Sequence, residues 1–386
     1  MPLTAAELEP LLRLALVRGV GPNRLTRLVE QFGSADRVLT ARMAELRALE
    51  GIGEELARRI RSAGSESETA GVRTALSTLV RLNAFVVARP DPLYPAEFQH
   101  LSDPPYLLYC VGDPAGLTTP SIAVVGTRSP TSYGRRVAHS FSEQLAGAGF
   151  AITSGMARGV DSEAHQGALA AGGMTVGVLG HGIDQIYPPE CRNLFLSVRE
   201  KGLLITEYPP GETPKSGNFP RRNRLIAALS EAVLVIEMGL RSGAQHTVNY
   251  AIEQGKEVLA VPGPVGEPMS EGTNRLIQDG APLVALATDV IQILRGAGAA
   301  QLCDPRPAPP REEAASFPAL SSAVPLLALY TDAERMLLSA LSTHPAHIDS
   351  LSAETGLSIP EILVTLLELE LRGLVTELPG KRFVRV

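Results

Sequence analysis

Between residues 121 and 263 the apolar residues come in short continuous runs, each ending at a glycine or a polar residue. They read "SIAVVGT" (121–127), "FAITSG" (150–155), "MTVGVLG" (174–180), "LLITEY" (203–208), "AVLVIEM" (232–238) and "EVLAVPG" (257–263). Helical stretches such as "YGRRVAHSFSEQLAGAG" (133–149) and "DSEAHQGALAAGG" (161–173) lie between them. Uninterrupted apolar strands alternating with helices predict a parallel sheet covered on both faces, joined by right-handed crossovers. The expected core is an α/β, Rossmann-like, doubly wound, mostly parallel sheet, whose ligands would sit beyond the strand C-termini.

The period changes on either side. Toward the N-terminus, "VRGVGPNRLTRLV" (17–29) and "LEGIGEELARRI" (49–60) both read apolar-x-Gly-apolar-Gly followed by a helix, a helix-hairpin-helix or SAM-like signature. Paired glycines let two helices meet in a tight turn and expose backbone N–H groups. Arg18, Arg24, Arg58, Arg59 and Arg61 would suit DNA contact there; Glu50, Glu54 and Glu55 dilute the charge, and protein docking fits as well. Toward the C-terminus, Thr331 with Glu334 three residues on forms a capping box. Two further helices and a hairpin around Pro379-Gly380 make that segment winged-helix-like. Its last helix carries Glu361, Glu368 and Glu370 against Arg372, so entry into a DNA groove is disfavoured and protein–protein or structural use is expected. The expected boundaries are 1–80 for the helical domain, 83–296 for the α/β domain, 297–328 for a Pro/Ala-rich linker and 329–386 for the winged-helix-like domain.

Composition narrows the function. The 386 residues carry a net charge of −6, so phosphate binding would need local clustering of cations rather than an overall basic surface. The absence of Trp and an aromatic share of 4% limit how many bases could be stacked. Three scattered cysteines, Cys110, Cys191 and Cys303, fit a reducing compartment with no disulfide framework. No run approaches a membrane span and the N-terminus lacks a secretory pattern, so a cytoplasmic location is expected.

Candidate chemistry gathers at the strand ends. Gly126 would permit close backbone approach and Arg128 would reach a phosphate, but "VVGTRSPTSYG" is no dinucleotide fingerprint. Ser154 and Gly155 open the second turn. There Asp161 reads as a helix N-cap and His165, four residues on, as a packed histidine rather than an acid–base partner. Arg241, Ser242 and Gly243 form another turn whose amides would face the same groove. No Walker A, HExxH, GxSxG or spaced Cys/His set is present, so no catalytic residue, metal or cofactor is assigned. "FPRRNRLIAALSEAVLVIEM" (219–238) poses a puzzle of charge. Pro220 reads as the first helical residue, which crowds Arg221, Arg222 and Arg224 into a first turn where each cation costs roughly 0.3–1 kcal/mol. With Lys215 they make four cations and no acid from Thr213 to Ser230. A bound anion would remove the penalty, using free N–H groups and guanidinium forks. Phe219 would stack on a base.

Taken in order, "VVGTR", "TSGMARGVDSEAHQGAL", "VLGHGIDQIYP", "FPRRNRLIAALSEAVLVIE", "SGAQHTVNYAIEQGKEVLAVPG" and "EGTNRLIQDGA" resemble the DNA-processing protein A (DprA, or Smf) family over about residues 85–290. The resemblance implies a Rossmann-like domain that binds single-stranded DNA without a nucleotide cofactor. It also implies a homodimer that hands the strand to a RecA-type recombinase in natural transformation, with a single-stranded DNA-binding protein as a further candidate partner. By motif, Arg128 matches the family's Gly-Ser-Arg arginine, and Lys215, Phe219 and the Arg221, Arg222, Asn223, Arg224 run match its cationic segment. "SGAQHTVNYA" departs from the family's usual Ser-Gly-Ser-Leu-Ile-Thr. Two other readings stand beside this one. A nucleotide-processing enzyme of the phosphoribohydrolase type would share the fold, but "MGLRSGAQHTV" lacks that family's glycine run and acid. A structural adaptor would keep the arginines in ion pairs.

Overall fold

The computed structural model describes residues 5–64, 69–296, 331–341, 346–371, 374–378 and 381–385. The expected linker, Cys303, Arg372 and the Pro379-Gly380 tip lie outside the described residues. The N-terminal body is helical: α1 (Ala5–Leu16), α2 (Pro22–Phe32), α3 (Ala35–Thr40), α4 (Met43–Arg47), α5 (Glu54–Ala63) and α6 (Thr69–Arg81). The two glycine pairs do start helices, with Gly21 and Gly53 as extended N-caps that offer no side-chain bond. Most of this segment's arginines are already engaged. Arg58 and Arg59 pair with Glu54 and Glu55, and Arg24 and Arg61 donate to the carbonyls of Gly19 and Leu39.

The α/β body contains β1 (Phe85–Ala88), β2 (Leu107–Gly112), β3 (Ser121–Val125), α7 (Ser132–Gly147), β4 (Ala151–Ser154), α8 (Val160–Ala170), β5 (Thr175–Val178) and α9 (Arg192–Lys201). It continues through β6 (Leu203–Thr206), α10 (Asn218–Leu229), β7 (Ala232–Val235), α11 (Ala244–Glu253), β8 (Glu257–Ala260), α12 (Glu271–Gln278) and α13 (Ala287–Arg295). Among the described residues eight strands form one sheet in the order β1-β2-β6-β5-β4-β3-β7-β8. The six strands expected from the apolar runs are there and pair in parallel. Two more, β1 and β2, were not read from the pattern, and β2 runs antiparallel to β6. The chain steps β3, β4, β5, β6 in one direction, then returns through α10 to place β7 on the far side of β3. That reversal is the topological switch point, where a crevice opens beyond the strand C-termini.

Side-chain alternation builds two cores. Ile122, Val124, Ile152, Leu234, Ile236 and Leu259 pack against α7, α8 and α13 through Phe141, Leu145, Val160, Ala164 and Val290. The residues between them, such as Ala123 and Val125, have the opposite orientation, toward the face where α10 lies.

His165 is fully buried on α8 and shares a 2.7 Å hydrogen bond between Nδ1 and Thr175 Oγ1. Burial, with the nearby Arg222 charge, lowers its pKa to about 3. Asp161 is not its proton partner and is not the helix N-cap, which is Gly159. Its carboxylate instead accepts from the Gly155 and Ala157 amides.

The third body comprises α14 (Asp332–Ala340), β9 (Ala346–His347), α15 (Ile348–Thr355), α16 (Ile359–Leu371), β10 (Val375–Leu378) and β11 (Arg382–Arg385). The Thr331–Glu334 capping box is formed. The hairpin β10–β11, extended by β9, supplies the wing.

The unfolded chain protonates His165 near its ordinary pKa of 6.5, while the folded chain does so only near 3. Stability from this group is therefore complete above pH 6.5 and is lost as pH falls, by about 2 kcal/mol between pH 6.5 and 5. Urea melts across that range should show His165→Asn with the shallower pH dependence; parallel curves would refute the assignment.

Candidate nucleic-acid interface

A cleft of about 590 Å³ opens at the switch point, over the C-terminal ends of β3 and β7. It brings together Gly126, Arg128, Phe219, Arg222, Asn223, Ser242 and Gly243, which are far apart in sequence. The loop after β3 is held from below by Glu237, a buried acid at the end of the β7 segment. Its carboxylate accepts from the Thr131 amide at 2.9 Å and the Thr131 hydroxyl at 2.5 Å, and its carbonyl accepts from the Thr127 amide. Arg128 stands on this loop, exposed and without an ion-pair partner among the described residues. Arg241, on the loop after β7, is in the same position.

Gly126 does not reserve its space for a ligand. A Cβ there would lie 2.6 Å from Val160 Cγ2 and 2.8 Å from the Glu237 carbonyl oxygen, so the glycine serves packing between the β3 loop and α8. Ser154 is buried and donates to the Val124 carbonyl, tying β4 to β3 outside the cleft. The Ser242 amide is spent on the Gly239 carbonyl, so that turn offers fewer free donors than expected.

The cationic helix start requires the largest correction. α10 begins at Asn218 after Gly217, which puts Pro220 third in the helix and the arginines beyond the first three positions. Proline is harmless there because the first four helical N–H groups have no intrahelical acceptor. The acids missing from the local sequence arrive from elsewhere. Arg224, buried, grips Glu207 with two bonds of 2.7 and 2.9 Å. Arg221 bonds Asp103 at 2.6 Å, and Lys215 pairs with Glu212. Neither Arg221 nor Arg224 lines the cleft, and neither does Lys215. Arg222 does line it, but its guanidinium is buried and donates to the carbonyls of Gly155 and Val178. Burial lowers its pKa to about 10, against the opposing pull of Asp161. Burial likewise raises the Asp161 pKa, and the Arg222 charge opposes it.

Phe219 is half-buried at the cleft edge and meets Tyr187 with ring centroids 5.4 Å apart and planes tilted by 31°. Tyr187, 44% exposed, contacts His181 edge-on in turn. Tyr187 belongs with the site although the motifs did not single it out, and Arg241, expected there only as part of a turn offering amides, lines the cleft with an exposed side chain. The signal for Tyr187 was its place in "VLGHGIDQIYP", and for Arg241 its position directly before Ser242-Gly243.

This geometry defines a Rossmann-like binding protein whose cleft carries cations and aromatic rings in place of a dinucleotide fingerprint. The chain belongs to the DNA recombination-mediator protein A family: the family's model matches residues 85–295. Further models match a DprA winged helix domain over 305–381 and a SAM-like helix-hairpin-helix tandem over 11–63. It is 34% identical to Protein Smf of Synechocystis sp. over 396 aligned residues, covering 96% of each chain. It is 38% identical to DNA processing protein DprA of Bacillus subtilis over 52% of this chain and 68% of that one. The solved DprA of Streptococcus pneumoniae superposes with a TM-score of 0.65 at 29% identity, covering 76% of this chain and 99% of that chain. DNA processing protein A of Helicobacter pylori, solved in a study of its single-stranded DNA binding mode, gives 0.51 at 33% identity over 55% and 95% of the chains.

The two kinds of arginine should separate in stability measurements. Arg224→Met takes both short bonds from the buried Glu207 carboxylate and leaves it only the longer 3.7 Å contact with Arg221, so it should cost about 3 kcal/mol in urea unfolding. Arg128→Ala, at an exposed position, should stay within about 0.5 kcal/mol of the parent.

Proposed function

We propose that this protein binds single-stranded DNA in the cleft beyond β3 and β7, without catalysis, and passes the strand to a RecA-type recombinase. One observation carries the reading: Arg128 and Arg241, both unpaired among the described residues, stand on neighbouring loops of a cleft edged by Phe219 and Tyr187. Guanidinium forks suit phosphate oxygens, and aromatic faces accept bases of any sequence. A flexible single strand can offer both at once; a duplex keeps its base faces stacked inside. The Helicobacter pylori relative's single-stranded DNA binding mode supports the same assignment. Handover to the recombinase, dimerisation and a role in transformation are what the family resemblance implies, and they form the further part of the proposal.

Anisotropy titration of a labelled oligothymidylate over a salt series tests the cleft. Arg128→Ala and Arg241→Ala should each weaken binding and flatten the log–log salt slope by about 0.7. Phe219→Ala should cost about 1–3 kcal/mol and leave the slope unchanged. Wild-type protein that fails to bind in dilute buffer overturns the proposal. Loading of a recombinase onto oligothymidylate coated with single-stranded DNA-binding protein tests the handover, and Arg128→Ala should slow it in step with its weaker DNA binding.

A further inference from the structure

The cleft continues past Arg128. A smaller cavity of about 40 Å³ over the ends of β4 and β5 shares Arg128, Phe219 and Arg222 with it and adds Arg158, Tyr187 and Gly180. Arg158 sits on the turn between β4 and α8, and this turn is rigid by construction. Asp161 holds its amides at Gly155 and Ala157, and the Ser162 hydroxyl donates to the Ala157 carbonyl at 2.7 Å. The turn is also locked to the loop that carries Arg128. Val160 N donates to the Thr127 carbonyl, and Gly159, at φ +84°, lies so close that a Cβ would sit 2.8 Å from Arg128 Cα. The two arginines therefore rise from loops packed back to back.

The Arg158 side chain is 62% exposed and faces Glu190, itself 63% exposed, at 3.7 Å. That is a loose contact between two solvated groups, and such pairs are weak and screened by salt. Arg221 and Arg224 are spent on acids at 2.6–2.9 Å; Arg158 is not.

We infer that Arg158 is a third phosphate-binding residue, extending the strand's path from the β7 end across β3 to the β4–β5 end, and that Glu190 competes with the DNA for it. The inference rests on the cleft reading above and deepens it. β7, β3, β4 and β5 are consecutive in the sheet, so the path crosses three strand spacings, about 14 Å. Glu190 lowers affinity in two ways: it occupies the guanidinium, and it repels an approaching phosphodiester. Its effect is strongest where screening is weakest.

The same oligothymidylate titration decides the matter with full-length Arg158→Ala, Glu190→Gln and the double variant. Arg158→Ala should weaken binding several-fold and flatten the salt slope by about 0.7, one phosphate contact on a single strand. Glu190→Gln should tighten binding by about two- to fivefold at low salt, a gain that fades as salt rises. Relative to Arg158→Ala, the double variant should show a smaller gain than Glu190→Gln shows relative to wild type, because only the lifted repulsion remains once the guanidinium is gone. Circular dichroism should be native for all three, since both side chains are exposed. If wild-type protein binds and Arg158→Ala matches it in affinity and slope, the third contact is refuted while the cleft stands. If Arg158→Ala weakens binding but Glu190→Gln leaves it unchanged, the competition is refuted. Absence of wild-type binding would remove the underlying reading instead.

Discussion

The buried guanidinium of Arg222 ties the sheet's working edge together. It enters from α10 and donates to the carbonyl of Gly155, just past β4, and to that of Val178, the last residue of β5. Parallel strand ends leave such carbonyls without ladder partners, and leaving them dry and unbonded would cost about 1–3 kcal/mol each. One side chain satisfies two of them and pins α10 across the strand ends. The charge it brings is offset by Asp161, whose carboxylate holds the Gly155 and Ala157 amides. Gly155 is confined between the two: a Cβ there would lie 2.7 Å from Arg222 Nη2 and 2.8 Å from Asp161 Oδ2. The positions of Phe219, one helical turn before Asn223, and of the Arg158 turn both follow from this cluster.

Four arginines with similar sequence credentials thus do two kinds of work, and desolvation decides between them. Arg222 and Arg224 are taken out of water, so each must be compensated by fixed protein groups, and both are held in place by those bonds rather than free to reach out to a phosphate. Arg128 and Arg241 stay hydrated and unpaired among the described residues. Their guanidinium forks are open to a ligand, and binding releases counterions from a nucleic acid backbone. Arg222 is built into the cleft wall, Arg224 anchors α10 away from the cleft, and Arg128 and Arg241 face outward.

Much of this fold could be read from the chain alone. Six strands, the helices between them, the glycine-started N-terminal helices and the Thr331–Glu334 box all rest on local pattern, and all appear. The first two strands escaped because short runs among prolines, such as "AFVVARP" and "PPYLLYCVGD", carry no helix alternation to mark them. The site was half legible. Cleft membership of Gly126, Arg128, Phe219, Asn223, Ser242 and Gly243 follows from strand ends meeting at a switch point. Ion pairing does not follow, because Asp103 lies 118 residues from Arg221 and Glu207 lies 17 from Arg224. Counting acids only between Thr213 and Ser230 made those arginines look free. The tertiary structure supplied the anions that the local sequence withheld.

A net charge of −6 is then no contradiction to a cleft proposed to take phosphates. At physiological ionic strength exposed charges farther apart than about 8 Å are largely screened from one another. Of the acids along the cleft, Asp161 is engaged by the Gly155 and Ala157 amides, and behind the β3 loop Glu237 is held by Thr131. What an approaching phosphodiester meets is the local set, Arg128 and Arg241 across adjacent strands, with Glu271 on the rim. Bulk charge governs solubility and non-specific association. Here it disfavours indiscriminate adhesion to duplex DNA, and the binding proposed above would then depend on the few hydrated cations at the switch point and on bases free to reach the rings beside them.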